Sequence, residues 1–115
     1  MSLLEQLDAG SWDEFTRAPV AVMMLARSTC PHCNEWTHEL EQFLARDAAR
    51  YSHVRFGKLL LDQPGLVPFK EANQDWLHGI EGLPFNVIYV GGERFKSFPG
   101  AGIDRLVARL DKITA

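Results

Sequence analysis

Cys30 and Cys33 are the only two cysteines in this chain of 115 residues, and Pro31 and His32 separate them. A cysteine thiolate, rather than a thiol, attacks disulfides and ligates metals. Residues three apart on one helical turn are neighbours, and their sulfur atoms come within the distance that a disulfide bond spans. The spacing therefore concentrates all cysteine chemistry of the chain in this one segment.

The residues on either side predict a strand that leads into the cysteines and a helix that begins on them. The run from Pro19 to Ala26 is apolar on both faces, as a central strand covered by helices would be. Pro31 suits the first helical position, because its missing N–H would have no partner there. Cys30 is then the N-cap of a helix that we expect to end near Arg50. Its predicted buried stripe consists of Cys33, Trp36, Leu40, Phe43 and Leu44.

This placement predicts different roles for the two cysteines. Cys30 would face the unpaired N–H groups of the first helical turn and the partial positive charge of the helix end, so its pKa should fall. His32 and Arg27 could add positive charge beside it. Cys33 falls on the buried stripe. We expect Cys30 to attack a substrate disulfide and Cys33 to resolve the mixed disulfide.

Two other interpretations of the pair stay open at this point. A metal or cluster site would need further ligands, for which His32, His38 and His53 are available. Zinc ribbons, however, usually bring a second pair of cysteines. An inert structural pair would not need Pro and His between its cysteines. A C-x-x-C segment within a βαβ pattern favours the redox interpretation.

The remaining elements predict an α/β fold. Residues Met1 to Gly10 permit a short helix or an edge strand. Ser11 and Glu14 have the spacing of a capping box, which would start a helix running from Trp12 to Arg17. After the cysteine helix we expect a strand from Val54 to Leu61, a helix from Leu66 to Leu77, strands from Phe85 to Val90 and from Glu93 to Phe98 around a Gly91-Gly92 turn, and a closing helix from Ile103 to Ile113. Strands that alternate with helices imply a parallel βαβ unit. The prediction is one domain over residues 1–115, with a mixed central sheet, a C-terminal antiparallel hairpin and helices on both faces.

Composition narrows the class of protein. A net charge of −3 argues against a nucleic-acid binder, and no apolar run has the length of a membrane span. The first residues lack the basic start and continuous apolar stretch of a secretory signal. As written, the chain is expected to be a cytoplasmic monomer without nucleic-acid or membrane partners, or periplasmic if a signal segment was removed.

Four segments in the same order resemble those of the thioredoxin superfamily, over nearly the whole chain. The first is the C-x-x-C segment after an apolar strand. Lys58 to Asp62 is similar to the family's K-[LV]-x-[IV]-D strand, and Gly79 to Pro84 to its G-[IV]-x-[GS]-[IV]-P segment. Pro99-Gly100 is similar to the glycine that borders its substrate groove.

This resemblance implies a thiol–disulfide oxidoreductase that exchanges electrons with protein or small-molecule disulfides and needs no cofactor beyond the Cys30–Cys33 disulfide. It implies a reductase or oxidase partner and a cis peptide bond before Pro84. It also implies a substrate groove formed by Leu83, Pro84 and Gly100, and we expect the exposed flank of Thr29, Pro31 and Leu83 to be the docking surface for substrate. The alternative from another class is a non-catalytic binding protein that uses the cysteines to hold a metal or to dock a partner.

The chain departs from thioredoxins at several positions. Thioredoxins carry a buried Asp six residues before the first cysteine, where this chain has Met24, although Lys58, the usual partner of that Asp, is retained. Thr29 replaces a Trp, and Pro31-His32 replaces Gly-Pro. The Pro-His pair resembles that of the bacterial DsbA oxidases. These departures predict a disulfide that is more oxidising than that of ordinary thioredoxins.

Overall fold

The computed structural model describes residues 3–114. Helices connect successive strands as far as the last hairpin, and two short helices lie between the third and fourth strands. The strands are β1 (Leu4–Leu7), β2 (Val20–Ala26), β3 (Val54–Leu60), β4 (Phe85–Val90) and β5 (Glu93–Pro99). The helices are α1 (Trp12–Thr16), α2 (Pro31–Asp47), α3 (Val67–Ala72), α4 (Gln74–Leu77) and α5 (Ile103–Thr114).

The five strands form one mixed sheet in the order β1-β3-β2-β4-β5. β1 and β2 run parallel to β3, whereas β4 runs antiparallel to both β2 and β5. Every residue of β2 is buried, as expected for the central strand of a sheet covered on both faces. The predicted α/β fold with a βαβ unit and a C-terminal hairpin is confirmed, and the segment near the N-terminus is an edge strand.

Helices cover the two faces of the sheet and create two apolar cores. On one face, α2 and α5 pack on alternate strand residues such as Met24, Phe56 and Ile88. On the other face, α1, α3 and α4 pack on the intervening residues, among them Met23 and Leu59. No helix within residues 3–114 has both the length and the apolar character to cross a lipid bilayer.

The predicted capping box at Ser11 and Glu14 is wrong. The Ser11 hydroxyl accepts a hydrogen bond from the backbone N–H of Asp8 at 2.9 Å and makes no side-chain cap on α1. Glu14 instead forms an ion pair with Arg55, which also pairs with Glu5 on β1. These contacts to other segments compete with the local cap. A rule based on residue spacing within one segment cannot predict them. Helix α1 ends one residue earlier than expected, and α2 ends at Asp47 rather than near Arg50.

The single helix predicted from Leu66 to Leu77 is two short helices that meet at Asn73. The Asn73 side chain donates to the carbonyl of Phe69 at 2.8 Å and accepts from the indole N–H of Trp76 at 3.0 Å. An asparagine that bonds in this way offers the backbone an alternative to helix continuation. The stretch that follows α4 leads to the loop that contains Leu83, beside Cys30.

The Gly91-Gly92 turn between β4 and β5 is confirmed. Both glycines have positive φ, at 60° and 86°. A two-residue hairpin turn that requires positive φ at both positions strongly favours glycine. The turn brings β5, and with it Gly100, alongside β4.

Candidate functional site

Cys30 and Cys33 form a disulfide bond at the N-terminus of α2, with their Cα atoms 5.2 Å apart. Cys30 is the N-cap, with an extended backbone at φ −111° and ψ 107°, and Pro31 is the first helical residue. The backbone N–H of Cys33 donates to the Cys30 sulfur at 3.1 Å. The structure therefore places both cysteines where the sequence predicts them.

The two sulfur atoms differ in their access to solvent. Cys33 is 0 % exposed and belongs to the core under α2, whereas Cys30 is only partly buried at its edge. Thr29, Pro31 and His32 are exposed around it. An incoming disulfide could therefore reach Cys30 and not Cys33.

The loop before β4 lies against the exposed sulfur. The peptide bond between Leu83 and Pro84 is cis. The carbonyl oxygen of Leu83 is 3.9 Å from the Cys30 sulfur. The N–H of Gly100 donates to the Pro84 carbonyl at 2.8 Å, and Gly100 has a φ of 77°. The predicted groove residues Leu83, Pro84 and Gly100 are thus brought together at the disulfide.

A neutral amide, that of Asn86, is buried against α2, the helix that carries Cys33. Met24 is 0 % exposed and lies opposite Asn86 in the register of β2 with β4. Asn86 is 1 % exposed; its oxygen accepts from the indole N–H of Trp36 at 2.8 Å, and its nitrogen donates to the carbonyl of Gly100 at 2.8 Å. Buried polar groups need such partners. Asn86 therefore connects the helix that carries Cys33 to Gly100.

Sequence reasoning did not single out Asn86. Its one signal is that it is the only polar residue in the otherwise apolar strand Phe85–Val90. A lone polar residue in such a strand indicates a side chain with a specific buried partner.

Ser28 and Asp62 fix the turn that precedes Cys30. The backbone N–H of Ser28 donates to Oδ1 of Asp62 at 3.1 Å, and the Ser28 hydroxyl donates to Oδ2. These hydrogen bonds, with a smaller contribution from the nearby charge of Arg27, lower the pKa of Asp62 below its ordinary value. The end of β3 thereby holds the turn at the end of β2, which positions the start of α2.

A cleft of about 590 Å³ opens beside Cys30, on the side toward α3 and α4. Sequence reasoning missed it, because separate segments of the chain contribute its walls. It is lined by Arg27, Cys30, Leu61, Lys70, Gln74, Leu77, His78, Ile80, Glu81, Gly82 and Leu83.

Metal ligands do not cluster at the cysteines. Across the described part of the chain, no group of three or more His, Cys, Asp or Glu side chains is arranged to hold a metal ion. The histidines that the sequence offered as further ligands, His32, His38 and His53, are exposed and do not form such a group with the cysteines.

Comparisons with known proteins identify the fold. No protein-family model matches the sequence, and no curated protein matches it. Among solved structures, the short form of thioredoxin f from spinach chloroplast has a TM-score of 0.75 at 18% identity, covering 97% of this chain and 94% of its own. Thioredoxin f2 of Chlamydomonas reinhardtii has a TM-score of 0.72 at 20% identity, covering 95% and 94%. The chain has the thioredoxin fold.

A third thioredoxin-fold structure shows such a domain with a partner. It is a complex of ferredoxin:thioredoxin reductase and thioredoxin f2, with a TM-score of 0.73 at 16% identity over 97% of this chain and 96% of that one. The thioredoxin fold of the present chain places the Cys30–Cys33 disulfide at the end of its central strand and at the start of α2.

The Ser28–Asp62 contact predicts a pH-dependent contribution to stability. Because the folded-state pKa of Asp62 is lowered, the contribution is present above the unfolded value and is lost as the pH falls through the folded value. We expect Asp62→Asn to lower the melting temperature near pH 7, and we expect the difference from the wild type to shrink toward zero below about pH 3.

Asp75→Asn is the control, because Asp75 is exposed and makes no hydrogen bond or ion pair to any residue of the described chain. Thermal melts of the three proteins across this pH range provide the measurement. A difference between wild type and Asp62→Asn that stays constant with pH would contradict the contact's ionic character.

Proposed function

We propose that this protein is a thiol–disulfide oxidoreductase that exchanges its Cys30–Cys33 dithiol or disulfide with disulfides or thiols of other molecules. One observation carries the proposal: the paired cysteines sit at a helix N-terminus with one sulfur accessible and the other buried. A two-step exchange requires this asymmetry, because one thiol must be accessible to the substrate. The second thiol must be shielded from the substrate and close enough to resolve the mixed disulfide.

In the reducing direction, the Cys30 thiolate attacks one sulfur of the substrate disulfide. A Cys30–substrate disulfide forms, the substrate's own S–S bond breaks, and one substrate thiolate leaves. The Cys33 thiol then gives up its proton, and its thiolate attacks the Cys30 sulfur. The second substrate thiolate leaves, so the substrate gains two electrons and the protein is left with the Cys30–Cys33 disulfide. The opposite direction reverses each step.

The surroundings of Cys30 support its role as the attacking group. The Cys33 N–H that reaches the Cys30 sulfur at 3.1 Å would hydrogen-bond a thiolate more strongly than a neutral thiol. The partial charge at the start of the 17-residue helix α2 has the same sign of effect. We assign to His32, exposed between the cysteines, a further stabilising charge when its imidazole is protonated.

The surroundings of Cys33 support a couple more oxidising than that of ordinary thioredoxins. Met24 and the neutral Asn86 offer no carboxylate to accept the Cys33 proton. A reduced form in which the Cys30 thiolate is strongly stabilised makes the disulfide easier to reduce and hence a stronger oxidant.

The groove gives the substrate a place to bind. Thr29 and Pro31, the neighbours of Cys30 along the chain, are exposed. The Leu83 carbonyl oxygen lies 3.9 Å from the Cys30 sulfur, and Gly100 donates a hydrogen bond to the carbonyl of Pro84. We propose that an extended substrate segment pairs with the backbone at Leu83, in the manner of an added strand. A reductase or an oxidase would regenerate the active form, by analogy with the reductase complex of thioredoxin f2.

Trapping distinguishes the two cysteines. In Cys33→Ser the mixed disulfide on Cys30 cannot be resolved, so we expect a stable covalent adduct with a disulfide-containing substrate such as insulin. In Cys30→Ser the remaining thiol is buried, and we expect adduct formation to be slower by about 100-fold or more, because reactivity requires access as well as ionisation.

Mass spectrometry of both variants after the same exposure to substrate provides the measurement. Equal adduct yields, or a preference for Cys33, would contradict the assignment of roles.

The reduction potential tests the proposed direction of tuning. We expect a value above the roughly −270 mV of thioredoxin, measured by equilibration with glutathione buffers. His32→Leu should lower it, because the variant loses a charge that stabilises the thiolate. His38→Leu, a matched change at an exposed position farther along α2, should leave it unchanged.

A potential at or below that of thioredoxin would show that the couple is not tuned toward oxidation. Equal shifts of the reduction potential in the two histidine variants would contradict the role assigned to His32.

A further inference from the structure

The cleft beside Cys30 has the size of a small-molecule site. Its volume of about 590 Å³ lies in the usual range for such sites. Cys30 forms part of its wall, as does Leu83, whose carbonyl oxygen is 3.9 Å from the Cys30 sulfur. Leu61, Leu77 and Ile80 supply apolar surface. A ligand in this cleft would therefore lie directly beside the accessible sulfur.

Cations outnumber anions among the lining residues. Arg27 and Lys70 contribute positive charge, and Glu81 is the one acidic residue of the lining. The side-chain ammonium group of Lys70 makes no ion pair or hydrogen bond with any residue in the described chain. Arg27 lies near Asp62, whose carboxylate is already occupied by Ser28. The ammonium group of Lys70 is thus available to a ligand.

We propose that this cleft binds low-molecular-weight disulfides whose substituents carry a carboxylate, and that it selects them as substrates of Cys30. The proposal rests on the proposed oxidoreductase function and adds the class of substrate. The apolar wall accommodates the carbon chain between sulfur and carboxylate. The positive charges of Lys70 and Arg27 attract the carboxylate, and the negative charge of Glu81 repels it.

The reaction with such a disulfide, R–S–S–R, balances without a further reagent. The Cys30 thiolate attacks one sulfur, the S–S bond of the ligand breaks, and the first R–S⁻ leaves. Cys33 then displaces the second R–S⁻ from Cys30 and releases its proton to solvent. The ligand is reduced to two thiols, and the protein is oxidised by two electrons to the disulfide seen in the structure.

The overall charge of the protein makes the selection distinctive. With a net charge of −3, the long-range field repels an anionic disulfide and attracts a cationic one. A preference for the anion can therefore arise only from charges close to Cys30. Such a preference is also sensitive to salt, because the lining cations are exposed.

Three symmetrical disulfides of similar size separate these effects: anionic 3,3′-dithiodipropionate, neutral bis(2-hydroxyethyl) disulfide and cationic cystamine. The rate at which each oxidises the reduced protein is divided by its rate with free dithiothreitol, which removes intrinsic reactivity. We expect the normalised rate for the anion to exceed that for the neutral disulfide by about 3- to 10-fold at low salt.

Variants of the charged lining residues test whether those residues cause the preference for the anionic disulfide. The double variant Arg27→Gln/Lys70→Gln should abolish the preference for the anion, and Glu81→Gln should increase it. Arg46→Gln/Lys112→Gln makes the same change in net charge at exposed positions outside the cleft, and it should keep the preference. Each ratio compares the normalised rates of two disulfides with one protein. A variant that merely slows both reactions to the same extent therefore does not change the ratio.

Two results would overturn the proposal while leaving the oxidoreductase function intact. One is oxidation by all three disulfides with no normalised preference for the anion. The other is a preference that the cleft variant and the control variant reduce equally. Failure of every disulfide to oxidise the reduced protein would instead remove the proposed function, and the substrate class with it.

Discussion

At the start of α2, the sulfur of Cys30 takes the place that a side-chain oxygen occupies at most helix N-termini: it accepts the N–H of Cys33. The N–H groups of the first helical turn have no partner within the helix, so they need an acceptor from outside it. A sulfur that serves as this acceptor is held in one position and is favoured as an anion once the disulfide is reduced. The position of the reactive atom and its proposed reactivity therefore share one cause.

The rest of the structure supports that helix end from both sides. Asp62, at the end of β3, holds Ser28 in the turn before it. Asn86 on β4 holds Trp36, one turn after Cys33, and also bonds the carbonyl of Gly100. In the described chain, the side chains of Asp62 and Asn86 make no hydrogen bond to a cysteine sulfur. Both act on the site through the segments that they join.

Local patterns in the sequence were sufficient for the elements that present the disulfide. The apolar run that became β2 and the proline at the start of α2 are features of consecutive residues, and the structure confirms both. The features that were missed or wrong depend on distant partners. Asn86 and Trp36, which are hydrogen-bonded, lie 50 residues apart in the sequence. Glu14 bonds to Arg55 rather than to Ser11. The cleft beside Cys30 is missed for the same reason, since Arg27 and Lys70 come to line one cleft only in the folded chain.

The pH dependence of alkylation tests whether Cys30 is the accessible thiolate of the reduced protein. The reduced protein is treated with iodoacetamide over a range of pH, and the labelled cysteine is located by mass spectrometry. We predict that Cys30 is labelled first, at a rate that has already levelled off below about pH 8, where an ordinary cysteine is still mostly protonated. Labelling of Cys33 before Cys30, or a Cys30 rate that still rises above about pH 9, would contradict this prediction.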